Sequence, residues 1–419
     1  MQESKYLVVG SSHAALQAII AIRKRDVDGS LTVLTREPRL PYSPTILPYI
    51  VSSQKQPDDI SLCDEAHFAR NNVTLVRGTT VTAVQPDTKI VRTGSGDEWR
   101  YDRLLLATGA SPATPPIPGL REVPFHVLRT MNDAIELRDA LRHAASAVVI
   151  GGGLCAMHAV ESMAKAGITV TVVEICDRIL RECASPRAGE MIARSFMAEG
   201  IEIRTNRSPV AVAREAGKYV VTLNDGATIV ADLLMVAAGV KPVTDYLVGS
   251  GVKVNRGIVV DELMRTSEPG IWAAGDVAET PGFWGGGVVN GILPGAAAQG
   301  RTAGANMADG NGTERYAGAI PLNTYHFFGH HLISVGINQP PSEVAGFEIH
   351  EDADDDGYIY RQIMLQEGRL VGISTIDDVF DAGIMKHIIL GRIDLSPVKA
   401  AFLARPREAG RLLMSQMWR

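Results

Sequence analysis

The chain has 419 residues, more than one hydrophobic core usually accommodates, so two or three domains are expected. Hydrophobic residues make up 46% and charged residues 21%, the mix of an ordinary soluble globular protein. A net charge of −6, from 41 Lys and Arg against 47 Asp and Glu, gives no reason to expect a nucleic-acid partner. No apolar run approaches the roughly 18 residues of a membrane span.

The opening MQESKYLVVG enters a strand pattern almost at once and leaves no room for a signal peptide, so a cytoplasmic location is expected. In Lys5-Tyr-Leu-Val-Val the apolar run gives way at Gly10 to a helical pattern, and a second run, Leu31-Thr-Val-Leu, ends beside Arg36 and Glu37. Strand, tight turn, helix and strand form the first half of a dinucleotide-binding unit. Of the usual G-x-G-x-x-G only Gly10 is present; Ser12 and Ala15 take the other two places, small enough for a tight turn and close helix–strand packing. A plain βαβ unit fits the same residues.

Tyr101 to Ala110 is another buried strand, ending in Ala107-Thr108-Gly109, and the prolines from Pro112 to Pro118 punctuate a boundary. The opening pattern then returns in Ala147-Val-Val-Ile-Gly-Gly-Gly-Leu-Cys-Ala. Gly151, Gly153 and Ala156 fit G-x-G-x-x-A, and the strand Thr169-Val-Thr-Val-Val delivers Glu174, 21 residues beyond Gly153. That is the spacing of an acid that accepts hydrogen bonds from an adenosine ribose. From 201 to 239 short apolar and polar pieces alternate around the hairpin turn Asn224-Asp225-Gly226, then end in Ala238-Gly239-Val240-Lys241-Pro242. A strand closes on Gly275-Asp276, followed by a Gly-rich loop from Gly282 to Gly295 and a helical run from Ala296. From about 314 strands alternate around an acidic turn, Glu351 to Asp356; the tail from Lys399 to Arg419 is a mildly basic helix.

The four cysteines, Cys63, Cys155, Cys176 and Cys183, form no CxxC pair and no metal-ligand spacing. Free, mostly buried thiols are expected, and no metal site.

These signatures, taken in order, resemble the two-dinucleotide-binding-domain flavoproteins: the pyridine nucleotide–disulfide oxidoreductases and their non-disulfide relatives, such as NADH oxidases and ferredoxin or rubredoxin reductases. The resemblance covers nearly the whole chain. It implies an α/β fold of two nested Rossmann-like dinucleotide-binding domains, for FAD and NAD, plus a C-terminal α+β domain. The boundaries it implies are 1–112 and 240–313 for the FAD-binding domain, 113–239 for the NAD(H)-binding domain and 314–419 for the C-terminal interface domain.

By the same resemblance, Gly10, Ser12, His13, Ala14 and Ala15 lie at the FAD pyrophosphate turn, with Thr108 and Gly109 at the neighbouring strand end. Glu37 is placed near the adenosine ribose, with Thr35 and Arg36 close enough to compete. Gly275 and Asp276 face the ribityl or phosphate portion, Asp276 having a helix cap as its simpler role. Gly151, Gly153, Ala156, Glu174 and Gly239 surround NAD(H), and the acid disfavours a 2′-phosphate, so NADH is preferred to NADPH. His13 and His158 are placed near flavin and nicotinamide, though a packed helix histidine explains His158 as well. Trp284 either covers the cofactor or packs as an ordinary aromatic anchor.

Departures narrow the chemistry. No redox-active cysteine pair follows the first unit, and Thr45 stands where single-cysteine relatives carry their thiol, before Leu47-Pro-Tyr. A hydroxyl cannot cycle through thiolate and sulfenate. The expected function is electron transfer between NAD(H) and an external iron–sulfur protein or subunit, since this chain has no cluster motif of its own. The Ser-Ser-His-Ala-Ala start resembles an NADH-handling flavoprotein subunit of a larger complex, of the phenylglyoxylate dehydrogenase type. A free-standing NADH oxidase, a ferredoxin or rubredoxin reductase, and a non-catalytic nucleotide-binding subunit stay open, as does a homodimer.

Overall fold

The computed structural model describes residues 1–310, 312–340, 345–354 and 356–417. The chain divides into two compact units: residues 1–44, 57–111 and 240–320, and residues 45–56, 112–239 and 321–419.

The first unit is built on a parallel sheet. Strand Gln2–Val9 lies between Leu31–Leu34 and Glu98–Leu106, with Val73–Val76 outside the former and Ile271–Ala273 outside the latter. The four residues of Leu31–Leu34 are all buried, as expected of a strand covered on both faces. Val81–Gln85 and Ile90–Thr93 add an antiparallel meander to the start of Glu98–Leu106. Helix His13–Arg23 packs over this sheet, and helix Leu293–Asp309 packs against it so closely that Gly300 and Gly304 are required. A Cβ at Gly300 would lie 2.0 Å from the Ala14 carbonyl oxygen, and one at Gly304 would lie 2.4 Å from that of Ala18.

The second unit repeats the plan. Strands Glu202–Arg204, Thr169–Val173, Ser146–Ile150 and Leu233–Val236 run parallel in that order, beside a meander of Pro209–Glu215, Lys218–Leu223 and Thr228–Ala231. Residues 224–227 form the expected hairpin turn. The same unit carries a five-stranded antiparallel sheet, ordered Leu322–Phe327, His330–Gly336, Arg369–Ile376, Ile359–Gln366, Phe347–Asp354, and closed by helix Ala382–Leu390.

Three local expectations change. Glu351 to Asp354 belong to the edge strand Phe347–Asp354, not to a turn; Asp352 pairs in register with Arg361, and an edge strand tolerates such charge because one side is open to water. Asp355 lies outside the described residues. The Gly-rich stretch holds strand Gly287–Val289, and the helix after it begins at Leu293. The C-terminal tail forms two helices, Lys399–Ala404 and Pro406–Met417, because a proline disfavours helical backbone at the residue before it; Arg405 is that residue, at φ −141° and ψ 73°. Arg419 lies outside the described residues.

Alanine at Gly300 or Gly304 gains up to about 1 kcal/mol of helix propensity but meets backbone that cannot yield, a cost of roughly 1–3 kcal/mol. G300A and G304A are therefore expected to lower the urea midpoint, G300A more. G383A, in a helix with open space at the Cβ position, should hold or raise it.

Candidate nucleotide-binding sites

Each unit contains the same crossing of a strand-end glycine over a neighbouring carbonyl. Gly10 sits at φ +109°, and a Cβ there would lie 2.1 Å from the Ala107 carbonyl oxygen; Gly151 sits at φ +110°, with the Ala237 oxygen 2.4 Å from the same position. Gly10 N–H donates to Leu34 and Gly151 N–H to Val173, both at 2.8 Å. Ala107 N–H donates to Val9 and Ala237 N–H to Ile150. Only glycine meets both the left-handed backbone and the contact.

The helices that follow are open at their N-termini. Ser12 and Gly153 occupy the N-cap positions of His13–Arg23 and Leu154–Lys165, neither provides a side-chain cap, and neither first turn carries an acid. Helix Met131–Leu141, by contrast, is closed by a Thr130/Asp133 capping box. Uncapped N–H groups at the positive end of a helix form a phosphate site. Ala15 and Ala156, in the third place of each motif, are buried at 1% and 0% exposure, so the helices lie directly on their strands.

Register shows how the two turns differ. Glu174 follows strand Thr169–Val173, is buried, and accepts from Gly152 N–H at 2.5 Å and Cys176 N–H at 2.7 Å. Since Leu34 and Val173 accept from equivalent glycines, the residue matching Glu174 in the first unit is Thr35. Its hydroxyl takes a hydrogen bond from Ser11 at 3.0 Å, two side chains replacing the backbone–carboxylate contact. Glu37 stands two residues further on, its carboxylate accepting from the Tyr42 hydroxyl at 3.0 Å, and Arg36 is exposed. The Ser11–Thr35 pair stands where the second turn has its Gly152–Glu174 contact, and sequence reading missed it.

The first turn is completed from a distance in sequence. Gly275, at φ +83°, places its Cβ position 3.2 Å from the Ala14 side chain, so Gly275-Asp276 reaches the start of helix His13–Arg23. Gly275 N–H donates to Gln299 Oε1 at 2.7 Å. His13 Nε2 lies 3.0 Å from the buried Ser43 hydroxyl. Burial holds the His13 imidazole below the ordinary histidine value, and the Asp276 carboxylate offsets part of that shift. Thr108 bonds the Val243 carbonyl and the Tyr246 hydroxyl, both at 3.0 Å, and Gly109, at φ +68°, accepts from Val243 N–H. Gly239, at φ +98°, accepts from Ala113 N–H.

His158 packs edge-on against Tyr325, ring centroids 4.5 Å apart, and burial, against a pull from Glu161, keeps it below its ordinary value. That is a packing contact on the C-terminal sheet. Trp284 is 40% exposed and edge-on to Phe283, in the hairpin between Ala278–Pro281 and Gly287–Val289. All four cysteines are free; Cys183 is buried, which pushes its thiol up to about 12. Cys63 and Cys176 are half-buried, and Cys155, exposed as a whole residue, turns its thiol to the Leu128 carbonyl at 3.4 Å, where burial raises it to about 11. The expectation of buried thiols therefore holds for the sulfurs of Cys155 and Cys183, while short turns leave Cys63 and Cys176 partly open.

A family model described as pyridine nucleotide-disulphide oxidoreductase matches residues 4–293, and one described as the rubredoxin NAD+ reductase C-terminal domain matches residues 321–393. The chain belongs to the pyridine nucleotide-disulphide oxidoreductase family. It is 46% identical over 420 residues to the NADH-dependent phenylglyoxylate dehydrogenase subunit epsilon of Aromatoleum evansii, covering 100% of this chain and 99% of that one. It is 31% identical to a rubredoxin-NAD(+) reductase of Ectopseudomonas oleovorans, over 67% of this chain and 73% of that protein. In fold it matches putidaredoxin reductase from its covalent complex with putidaredoxin, with a TM-score of 0.85, 24% identity, and coverage of 98% and 100%. As a member of this family the chain is an oxidoreductase that uses FAD and NAD(H), and its two glycine cradles and open helix ends fit two pyrophosphates. Among the described residues, no cluster of three or more His, Cys, Asp or Glu could hold a metal.

The two cradles separate by mutation. G10A is expected to yield protein without bound flavin, whereas G151A stays yellow but needs at least about tenfold more NADH for reduction, since strain and overlap at such a site cost on the order of 1–3 kcal/mol. Flavin content and an NADH titration check both; loss of flavin in G151A together with its retention in G10A would reverse the assignment.

Proposed function

We propose that this chain is the NADH-handling flavoprotein that exchanges electrons with an iron–sulfur protein or subunit, within a 2-oxoacid dehydrogenase complex of the phenylglyoxylate type. The observation that carries this reading is a complete two-nucleotide scaffold without a cysteine relay, in a chain similar from end to end to a subunit of such a dehydrogenase. Thr45, exposed in the short turn Pro44–Ile46, gives the protein no thiol at the place where single-cysteine relatives react. Among the described residues no helix is long and apolar enough to cross a membrane. We assign the work to the cytoplasm, where NADH and low-potential carriers meet.

The residues' own tasks follow from their positions. The Gly10 turn and the open end of helix His13–Arg23 bind the FAD pyrophosphate, and Asp276 and Glu37 orient the sugar portions on either side. The Gly151 turn and helix Leu154–Lys165 bind the NADH pyrophosphate, and Glu174 orients the adenosine ribose. When bound, FAD would supply the chemistry that links hydride transfer from NADH to single-electron transfer to a carrier. The balance is one NADH and two oxidised carriers giving NAD+, one proton and two reduced carriers. No side chain is required as a base for the hydride step; placement within reacting distance is what the protein supplies. Partial burial holds the half-buried His13 below the ordinary histidine value, against the pull of the Asp276 carboxylate.

Glu174 makes coenzyme choice testable. A 2′-phosphate beside a buried carboxylate is repelled, so NADH should be preferred to NADPH by about tenfold or more. E174Q, which keeps an acceptor for the Gly152 N–H, should narrow that preference; an unchanged ratio would remove Glu174 from the coenzyme site.

Acceptor choice separates this reading from its competitor. The purified chain should oxidise NADH slowly in air and at least about tenfold faster when an oxidised bacterial ferredoxin is added anaerobically. Fast aerobic oxidation without a carrier would make it an NADH oxidase.

A further inference from the structure

Helix Leu293–Asp309 buries two amide side chains in the first unit, and they differ in how they are satisfied. Asn306 is 1% exposed and fully paired: its Nδ2 donates to the carbonyls of Leu263 and Glu314, and its Oδ1 accepts from Glu314 N–H. Gln299 is 0% exposed; its Oε1 accepts from Gly275 N–H at 2.7 Å, and its amide lies against the Tyr316 hydroxyl. Leucine or methionine would fill the same volume but could not accept from that buried N–H, so packing alone does not account for a glutamine here.

What its oxygen does is specific. Gly275 is held at φ +83°, and its N–H, buried beneath helix Leu293–Asp309, has this one acceptor in the turn. The next residue is Asp276, whose carboxylate acts on His13 at the start of the first helix. The close approach at Gly300, one residue after Gln299, fixes the same helix against Ala14. The oxygen of Gln299 thus ties the Gly275-Asp276 turn to a rigid helix pair.

We propose that Gln299 is a positioning residue for FAD: it anchors the Gly275 N–H and so sets where the Asp276 carboxylate is presented to the cofactor. The inference rests on the reading that the first unit holds FAD. Gln299 acts through Asp276, so its effect on FAD binding should depend on that carboxylate.

The test measures FAD dissociation from purified holoprotein, by recovery of flavin fluorescence on dilution, for wild type, Q299M, D276N and the double variant. M307A serves as a packing control, because Met307 is fully buried in the same helix, eight residues beyond Gln299. Q299M should weaken FAD binding by about tenfold or more, but by less than about threefold in the D276N background, because coupled residues are not additive. M307A should lower the thermal midpoint and leave FAD affinity unchanged. Q299E, which keeps an acceptor oxygen at the same reach, should retain more FAD than Q299M and provides the comparison if Q299M folds poorly. Equal losses of FAD affinity with and without Asp276, or parallel losses in Q299M and M307A, would overturn the proposal. Wild-type protein that contains and takes up no FAD would overturn the reading beneath it as well.

Discussion

The constraint on which the rest depends is the crossing of a glycine Cα over a strand-end carbonyl. At Gly10 and Gly151 the chain leaves a buried strand, turns through positive φ, and enters a helix within two or three residues, with the carbonyls of Ala107 and Ala237 where a side chain would be. Any other residue would push the strand and the helix apart. With glycine, the helix end stays open and aimed along the strand ends, so a phosphate can be bound by backbone alone. The sheets, the small residues at Ala15 and Ala156, and the glycine pair at 300 and 304 all serve that approach of backbone to backbone.

The two turns meet the same requirement with different chemistry at the strand end. In the second, a buried carboxylate at Glu174 ties the glycine loop to its strand by accepting from Gly152 and Cys176 N–H. In the first, Ser11 and Thr35 make a neutral tie, and the carboxylate moves to Glu37, held by Tyr42. The first turn is also met by residues from the far end of the unit, Gly275 and Asp276, with the Gly275 N–H held by Gln299. The absence of a thiol at Thr45 then leaves electron transfer to an outside carrier as the chemistry this scaffold supports best.

Much of this was legible from residue order. Gly151, Gly153, Ala156 and Glu174 form a recognisable motif, and their spacing follows directly from a strand, a turn, a helix and a strand. The first turn was only half legible, because a Ser–Thr hydroxyl pair carries no motif where the second turn has a glycine and an acid. Gln299 could not be seen at all, since its partner lies in a strand-end turn that reaches it only through the fold; the G-x-x-x-G at 300–304 in an alanine-rich helix was the available hint of close packing there. The acidic strand misled for a physical reason: Asp and Glu beside Gly357 have the composition of a turn, and the pairing of Asp352 with Arg361 is cross-strand. His158 reads as a site residue from its place after the glycines, and the structure gives it a ring to pack on, Tyr325.

If one chain holds FAD and NADH for hydride transfer, NADH alone should reduce the bound flavin. The most direct measurement is an anaerobic absorbance titration of the purified protein with NADH. The expected result is a flavin spectrum that bleaches at close to one equivalent of NADH per flavin. A flavin that NADH leaves oxidised, or a protein that stays colourless after incubation with FAD, would contradict it.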